Sequence, residues 1–454
     1  MTLPALARGD VVTLPTAPLS LRDRALADDV RFILAVFVDL NGKPCAKLVP
    51  VSAADELEAG ELGFAGFAAG LIGQHPHDSD LIAVPDLDSY APIPFVRDGL
   101  AIVHCDPYVD GEPWPFAPRV ILKRALARLA EHGLSAKVGA EVEYFLVDRD
   151  EEGRLKAADR KDEGLRSCYD ARGVTRMYDH LAAISDAMNA LGWGNYANDH
   201  EDAPGQFEQN FKYAEALVTA DRVITLRYLI SMLAEQRGMT ATFMPKPFSD
   251  RAGNGLHFHV SLWDDTTPVF PADTDDRGLG LSPLAYSFVA GMLEHAAGLQ
   301  LFLAPSVNSY KRRGATTSAS GATWSPKHAT YGGNDRTHFI RVPDSSRIEL
   351  RAADGSANPY LALAAVVHAG LDGVERSADP GDPCGPGEAR ETSAVLPRTL
   401  LHAVQALRDD TVLRDAIDDG RGVGTYFADA KEEEFLGWHN TVTDWEIDRY
   451  LTAY

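Results

Sequence analysis

The sequence predicts a two-domain protein of mixed α and β structure, from three observations. Its 454 residues are 45% hydrophobic and 24% charged, a balance that builds large buried cores but exceeds one compact unit. Apolar strand-like runs dominate the first hundred residues or so, ending at a Pro-rich segment at 106–118 (DPYVDGEPWPFAP). Beyond it, helical three- and four-residue spacing alternates with short strand patterns.

In chain order, 31–39 (RFILAVFVD) predicts a buried strand, Asn41-Gly42 a tight turn, and 46–51 a second strand. LIAVPDL and LAIVHCD continue this small β-rich unit, and the Pro-rich segment predicts a linker. A helix is then expected at about 118–132, a strand at 140–147, helices at about 176–191 and 213–237, and strands at 241–244 and 256–262. Further helices are expected at about 282–300, 358–376 and 397–417, with a strand at 346–351 between two of them. The Pro/Gly/Asp-rich stretch 379–388 predicts a surface loop.

The net charge of −23, from 66 acidic and 43 basic residues, argues against nucleic-acid or acidic-membrane partners. Cys45, Cys105, Cys168 and Cys384 lie far apart with no CxxC pair, which fits a reducing compartment and argues against a thiolate metal site. Neither an export signal nor a run of about 18 apolar residues is evident, so a cytoplasmic protein is expected. The GxxxxGK[ST] loop is absent, so any ATP phosphates must be held by metal and arginine.

Four clusters carry candidate chemistry. Glu141 and Glu143 (GAEVEYFLV) stand two apart on a predicted strand and share a face, as do His257 and His259 (NGLHFHVSL) and Arg347, Glu349 and Arg351 (SSRIELRAAD). In HEDAPGQFEQNF, an Ala-Pro-Gly turn can bring Glu201 and Glu208 together. Each alone also describes a half-exposed strand, a satisfied histidine pair, an ion-pair ladder or ordinary loop acids. Together, the five glutamates and a histidine can satisfy two adjacent hard divalent cations, and the arginines supply positive charge for phosphoryl transfer and carboxylate recognition.

At these residues the sequence resembles the glutamine synthetase family, from about residue 30 to its C-terminus. The similarity is strongest in GAEVEYFLV, TATFMPKPFSDRAGNGLHFHVSLW, APSVNSYKRR and RIELRAADGSANPYLALAAVVHAGLDG. The resemblance implies an α+β protein: a β-grasp-like domain at 1–113, and a catalytic domain at 114–454 built on a curved antiparallel sheet with surrounding helices. It also implies a homo-oligomer, a dodecamer of two stacked hexameric rings with active sites between subunits.

By the same resemblance, Glu143, Glu201 and Glu208 would hold the metal near glutamate and the amine, while Glu141, His257 and Glu349 would hold the metal bridging the ATP phosphates. Two to three Mg²⁺ or Mn²⁺ ions per site are implied. His259 would contact the phosphates, with Ser261 and Arg347 near the nucleotide. Arg312 would orient the substrate carboxylate, while Arg336, Arg341 and Arg351 stabilise the transferring phosphoryl group. Gly253 matches the glutamate-binding main chain, although the usual asparagine before it is Ala252 here, with Asn254 nearby.

Two departures bear on the amine. Ammonia-using members carry an acid in a Phe-Asp-Gly-Ser-Ser loop; the matching segment here is Phe64-Ala65-Gly66-Phe67-Ala68. They also carry a glutamate in a Tyr-Glu-Ala-Pro motif, whereas the equivalent stretch here, GATTSASGATWSP, has no acid. Tyr169 and Glu201, matching other parts of the amine site, remain, and Glu201, with Tyr169, is expected to deprotonate the amine.

Removing acceptors weakens ammonium binding, while Ala65, Phe67 and Ala68 offer apolar surface worth about 0.8 kcal/mol per CH₂-sized group. The family includes γ-glutamylmethylamide synthetases, so the expected activity is ATP-dependent ligation of glutamate to a small amine, methylamine first, through γ-glutamyl phosphate. A glutamine synthetase using ammonia, a ligase for ethanolamine or polyamines, and a non-catalytic family member are the alternatives. The stretch 379–393 has no tyrosine, so the adenylylation known in some bacterial members is not expected.

Overall fold

The computed structural model describes residues 19–164, 167–314, 324–385 and 393–454. Most of the GATTSASGATWSP stretch (315–323) and part of the 379–393 stretch (386–392) lie outside the described residues.

Among the described residues, the first sheet has seven strands. Phe32–Val38 pairs antiparallel with Pro44–Pro50 and parallel with Leu100–Val109, which in turn pairs antiparallel with Leu81–Pro85. Gly42, at φ +80°, makes the turn expected at Asn41-Gly42. The uninterrupted apolar character of FILAVFV has a physical reason: both faces are covered. Ile33, Ala35 and Phe37 enter a small core within the N-terminal unit, whereas Val36 and Val38, on the other face, join the large core of the rest of the chain.

The Pro-rich segment is not a linker. Leu100–Val109 runs through Pro107 and turns into a hairpin with Glu112–Pro113. Pro107, which has no N–H, still accepts from the Trp114 amide (2.8 Å), and the Trp114 indole N–H donates to the Ile72 carbonyl (2.7 Å). Pro118 then opens the helix Pro118–Glu131 at its first turn, where a missing donor costs nothing. From that helix the buried Arg119 donates to Asp221 (2.9 Å), Asp106 (2.8 Å) and Asp86 (2.8 Å), tying the first sheet to the helix Ala216–Glu235.

Among the described residues, the second sheet has eleven strands: seven in the order Asn195–His200, Gln206–Phe211, Ser135–Arg149, Leu256–Asp264, Arg347–Leu350, Ile340–Asp344, Tyr331–Gly332, and four shorter ones paired at the margins. Pairing along the first six is antiparallel; the helix Ala216–Glu235 packs on the central strand Ser135–Arg149, and the helices Pro283–Glu294 and Pro359–Glu375 pack on one another within the same core. The architecture is α+β, as expected.

Several boundaries differ from the sequence reading. The 140–147 strand extends over Ser135–Arg149, long enough to serve as the sheet's axis. The helix expected at about 282–300 breaks at His295, whose two ring nitrogens meet Asp410 (2.8 Å) and Asp372 (3.1 Å). The helix expected at about 397–417 breaks at Asp410, which caps Thr411–Asp418 by accepting from the Leu413 amide (3.0 Å). Polar residues interrupt the hairpin Asn195–His200/Gln206–Phe211, which periodicity did not reveal. Among the described residues, no helix is long and apolar enough to cross a membrane.

Candidate active site

The antiparallel register sets the polar face. Glu141 lies opposite His257 on one neighbouring strand and opposite Asn210 on the other; Glu143 lies opposite Glu208, and His259 opposite Glu349. Because alternate side chains share a face, these groups converge above one side of the central strand while Val142, Phe258 and Ile348 enter the core.

Glu141 receives both histidines: His257 Nδ1 at 3.0 Å and His259 Nε2 at 2.8 Å. Arg347 Nε donates to His259 Nδ1 (3.2 Å), which assigns the His259 proton to Nε2. With the His257 Nδ1 proton likewise on Glu141, its Nε2 is left facing Glu143 Oε1 at 3.8 Å, the arrangement in which a carboxylate orients a metal-binding imidazole. Glu143 accepts from the Gly255 amide (2.7 Å) and Gln206 Nε2 (3.0 Å). Glu349, fully buried, lies between Arg341 (2.5 Å) and Arg351.

Charge is divided unevenly. Burial works against ionisation of Glu141, but hydrogen bonds from His257 and His259 hold it well below the usual carboxylate range. Burial likewise opposes ionisation of Glu349, yet His257 and Arg351 keep its pKa low. Glu208 and Glu201 go the other way. Burial, together with Glu141 and Glu201 for Glu208, and with Glu143 for Glu201, pushes both well above their ordinary value. Two buried carboxyls strained by like charge are groups that a bound divalent cation would relieve.

Within this set, Glu141, Glu208 and His257 bring ligand atoms within 4.8 Å of one another, as do Glu141, His259 and Glu349. The grouping differs from the two sets implied by resemblance: Glu141 is common to both clusters and His259 joins one. Glu143, which faces His257 Nε2 at 3.8 Å, and Glu201, which accepts from the Asp202 amide (3.2 Å), belong to neither cluster. A Cβ on Gly255 would sit 2.7 Å from His257 Nε2 and 2.8 Å from Glu143 Oε1, so glycine keeps open the space between these donors. Carboxylate oxygens with one imidazole nitrogen suit Mg²⁺ or Mn²⁺, so the residues fit a hard divalent cation.

Two cavities meet at Glu141 and Tyr196. One, of about 490 Å³, is lined by Glu143, Tyr169, Glu201, Glu208, Gly253 and His257 together with Arg312, Arg336, Arg341 and Arg351. The second, of about 410 Å³, is lined by His259, Ser261, Arg347, Tyr213 and Trp263; Tyr213 stacks on Trp263, with ring centroids 6.4 Å apart.

Two expectations do not fit this chain's own cavities. Asn254 is fully buried and turned away, its amide donating to the Thr242 (3.1 Å) and Met244 (3.0 Å) carbonyls and its oxygen accepting from Gln206 (3.1 Å). It builds the turn that presents Gly253. Ala65, Phe67 and Ala68 are exposed on the N-terminal unit and line neither cavity.

Gln206, which fixes Glu143, and Asn210, which donates to Glu208 (2.9 Å), were missed. The period-two row Gln206, Glu208, Asn210 is the signal the sequence carries for them, since alternate residues of a strand share a face. Trp324, Cys168 and Asp199 also line the first cavity.

Comparison with known proteins is decisive for the family. Residues 115–450 match the family described as glutamine synthetase, catalytic domain. The chain belongs to the glutamine synthetase family. A glutamine synthetase of Rhizobium leguminosarum bv. phaseoli is 41% identical over 427 residues, 93% of this chain and 97% of that one. A glutamate–methylamine ligase of Methyloversatilis universalis is 39% identical over 433 residues, 93% and 97% respectively. A solved GmaS/ADP complex superposes with a TM-score of 0.89 at 42% identity, covering 95% of this chain and 99% of that one, and ligand-free GmaS with 0.88 at 41%. Ligases of the glutamine synthetase family use ATP and divalent metal, in keeping with the donors found here.

Proposed function

We propose that this chain is an ATP-dependent ligase that joins the γ-carboxylate of glutamate to a small primary amine, with methylamine preferred to ammonia. The observation that carries the reading is the meeting of the two cavities at Glu141. An acid- and arginine-lined cavity for glutamate and amine there adjoins an aromatic- and arginine-lined cavity for nucleotide, across one set of metal-ready carboxylates.

In this reading glutamate enters the first cavity, its carboxylate oriented by Arg312, whose side chain packs against Gly253. Ser261 and Arg347 flank the nucleotide, and His259 faces its phosphates. The γ-carboxylate attacks the γ-phosphorus, ADP departs, and γ-glutamyl phosphate forms. Arg336, Arg341 and Arg351 line the cavity where negative charge develops and stabilise it. The amine then attacks the acyl carbon, phosphate leaves, and the proton passes to Glu201, with Tyr169 beside it. Mg²⁺ or Mn²⁺ held by Glu141, Glu143, Glu201, Glu208, His257 and Glu349 would supply charge neutralisation on the phosphoryl oxygens.

The preference for methylamine is supported by the relative named glutamate–methylamine ligase, by the two GmaS structures, and by the lost acids at Ala65 and in the 314–326 stretch. The reading includes domains at 1–113 and 114–454, a cytoplasmic location and a dodecamer. Ala65, Phe67 and Ala68, exposed and lining neither of this chain's two cavities, would then line the neighbouring subunit's site.

The test is glutamate-dependent phosphate release with ATP and Mg²⁺ or Mn²⁺, comparing ammonia, methylamine, ethylamine, ethanolamine and putrescine, with the amide identified by mass. Methylamine is expected to give the highest kcat/KM. A clear preference for ammonia would make the protein a glutamine synthetase instead.

A further inference from the structure

Trp324 lines the first cavity together with Tyr169 and Glu201, and also borders a second hollow, of about 510 Å³, shared with Arg336 and His338. The residue is 50% exposed, which leaves apolar surface in water beside a cavity dominated by carboxylates and guanidinium groups. The other aliphatic side chains on that lining, Ala197 and Ala252, are small. Next to it, Ser325 also lines the cavity, and its buried hydroxyl has no hydrogen-bond partner among the described residues. An exposed indole and an unused hydroxyl, adjacent in sequence and facing one cavity, form a paired apolar and polar surface that the steps above leave unused.

We propose that Trp324 is a specificity-determining residue for the amine: its indole face takes the N-alkyl group, and Ser325 Oγ accepts an N–H. The inference rests on the reading of this site as a ligase for small amines. An alkylammonium approaching the ring is drawn by the π face and then buries its carbon against it. Ammonium has no carbon to bury, so the same ring discriminates against it. The sequence Trp-Ser-Pro at 324–326 supports this, since the resemblance puts a Glu-Ala-Pro acid in this stretch in ammonia-using members. An indole in place of a carboxylate exchanges a group that pairs with N–H donors for one that pairs with carbon.

The experiment measures kcat/KM for methylamine and for ammonia with the full-length enzyme at saturating glutamate, ATP and Mg²⁺, in wild type, Trp324→Phe, Trp324→Ala and Trp324→Glu. The readout is the methylamine-to-ammonia ratio, which is independent of how much of each preparation is folded. Trp324→Ala is expected to lower it about 4-fold, the value of one methyl-sized contact, with the change arising in the amine KM. Trp324→Phe retains most of the ratio, and Trp324→Glu lowers it about 10-fold or more by restoring an acceptor for ammonium. A ratio within about twofold of wild type in both the alanine and glutamate variants overturns the assignment. A wild-type preference for ammonia is a separate outcome, which removes the functional reading and this inference with it.

Discussion

Replacing Gly255 with alanine tests the site geometry more directly than removing a ligand. The added methyl would lie 2.7 Å from His257 Nε2, 2.8 Å from Glu143 Oε1 and 3.0 Å from Arg312 Nη2, against an ordinary contact of 3.4 Å or more. The imidazole and the carboxylate must therefore retreat by about 0.6–0.7 Å. All three obstructing atoms are ends of side chains, so relieving the clash costs about 1 kcal/mol. Gly255 is not among the positive-φ residues, so alanine also gains about 0.4–1 kcal/mol from a less flexible unfolded chain, and stability stays near wild type. Function does not. Displacement of that size exceeds the roughly 0.5 Å tolerance of a preorganised site, and a loss of about 100-fold in kcat/KM is expected. The assay pairs thermal unfolding, with and without Mn²⁺, against glutamate-dependent phosphate release and Mn²⁺ affinity by calorimetry. A variant with wild-type Mn²⁺ affinity and activity would refute the idea that Gly255 keeps the space between His257 and Glu143 open.

Two further outcomes probe the scaffold. Arg119→Met leaves Asp86, Asp106 and Asp221 around an uncharged side chain, and a loss of about 3–5 kcal/mol in urea unfolding is expected; a change below about 1 kcal/mol would show that this node does not hold the first sheet to the helix behind it. At His295, burial lowers the pKa but hydrogen bonds to Asp410 and Asp372 outweigh it, so the net shift is upward. A raised folded pKa means that stabilisation is complete below the unfolded value of 6.5 and is lost as pH rises through the folded value. Wild-type Tm should therefore fall more steeply than that of His295→Gln between pH 6.5 and 9, and parallel profiles would disprove an imidazolium at this position.

The sequence by itself determined the face-sharing pairs. Two-residue spacing obliges Glu141 and Glu143, His257 and His259, and Glu349 and Arg351 to point the same way once their segments are strands, because pleating is local. It also determined the strands and helices whose apolar spacing is strong, from Phe32–Val38 to Pro359–Glu375, since burial of a regular stripe leaves a regular pattern. The segment 106–118 forms strand and not linker because proline content reports a missing donor and is silent on whether a strand needs that donor; at Pro107 the carbonyl alone suffices.

Only the tertiary structure decided which strands are neighbours. Register across the sheet set Glu141 against His257 and Glu143 against Glu208, residues 116 and 65 positions apart, and so made Glu141 common to both ligand clusters. It likewise committed Asn254 to backbone carbonyls, broke two long helical patterns at the contact of His295 with Asp410, and left Trp324 facing the cavity. None of these could be extracted from spacing along the chain. Each depends on contacts between distant segments, where the free energy of packing two surfaces, and not local geometry, chooses the partner.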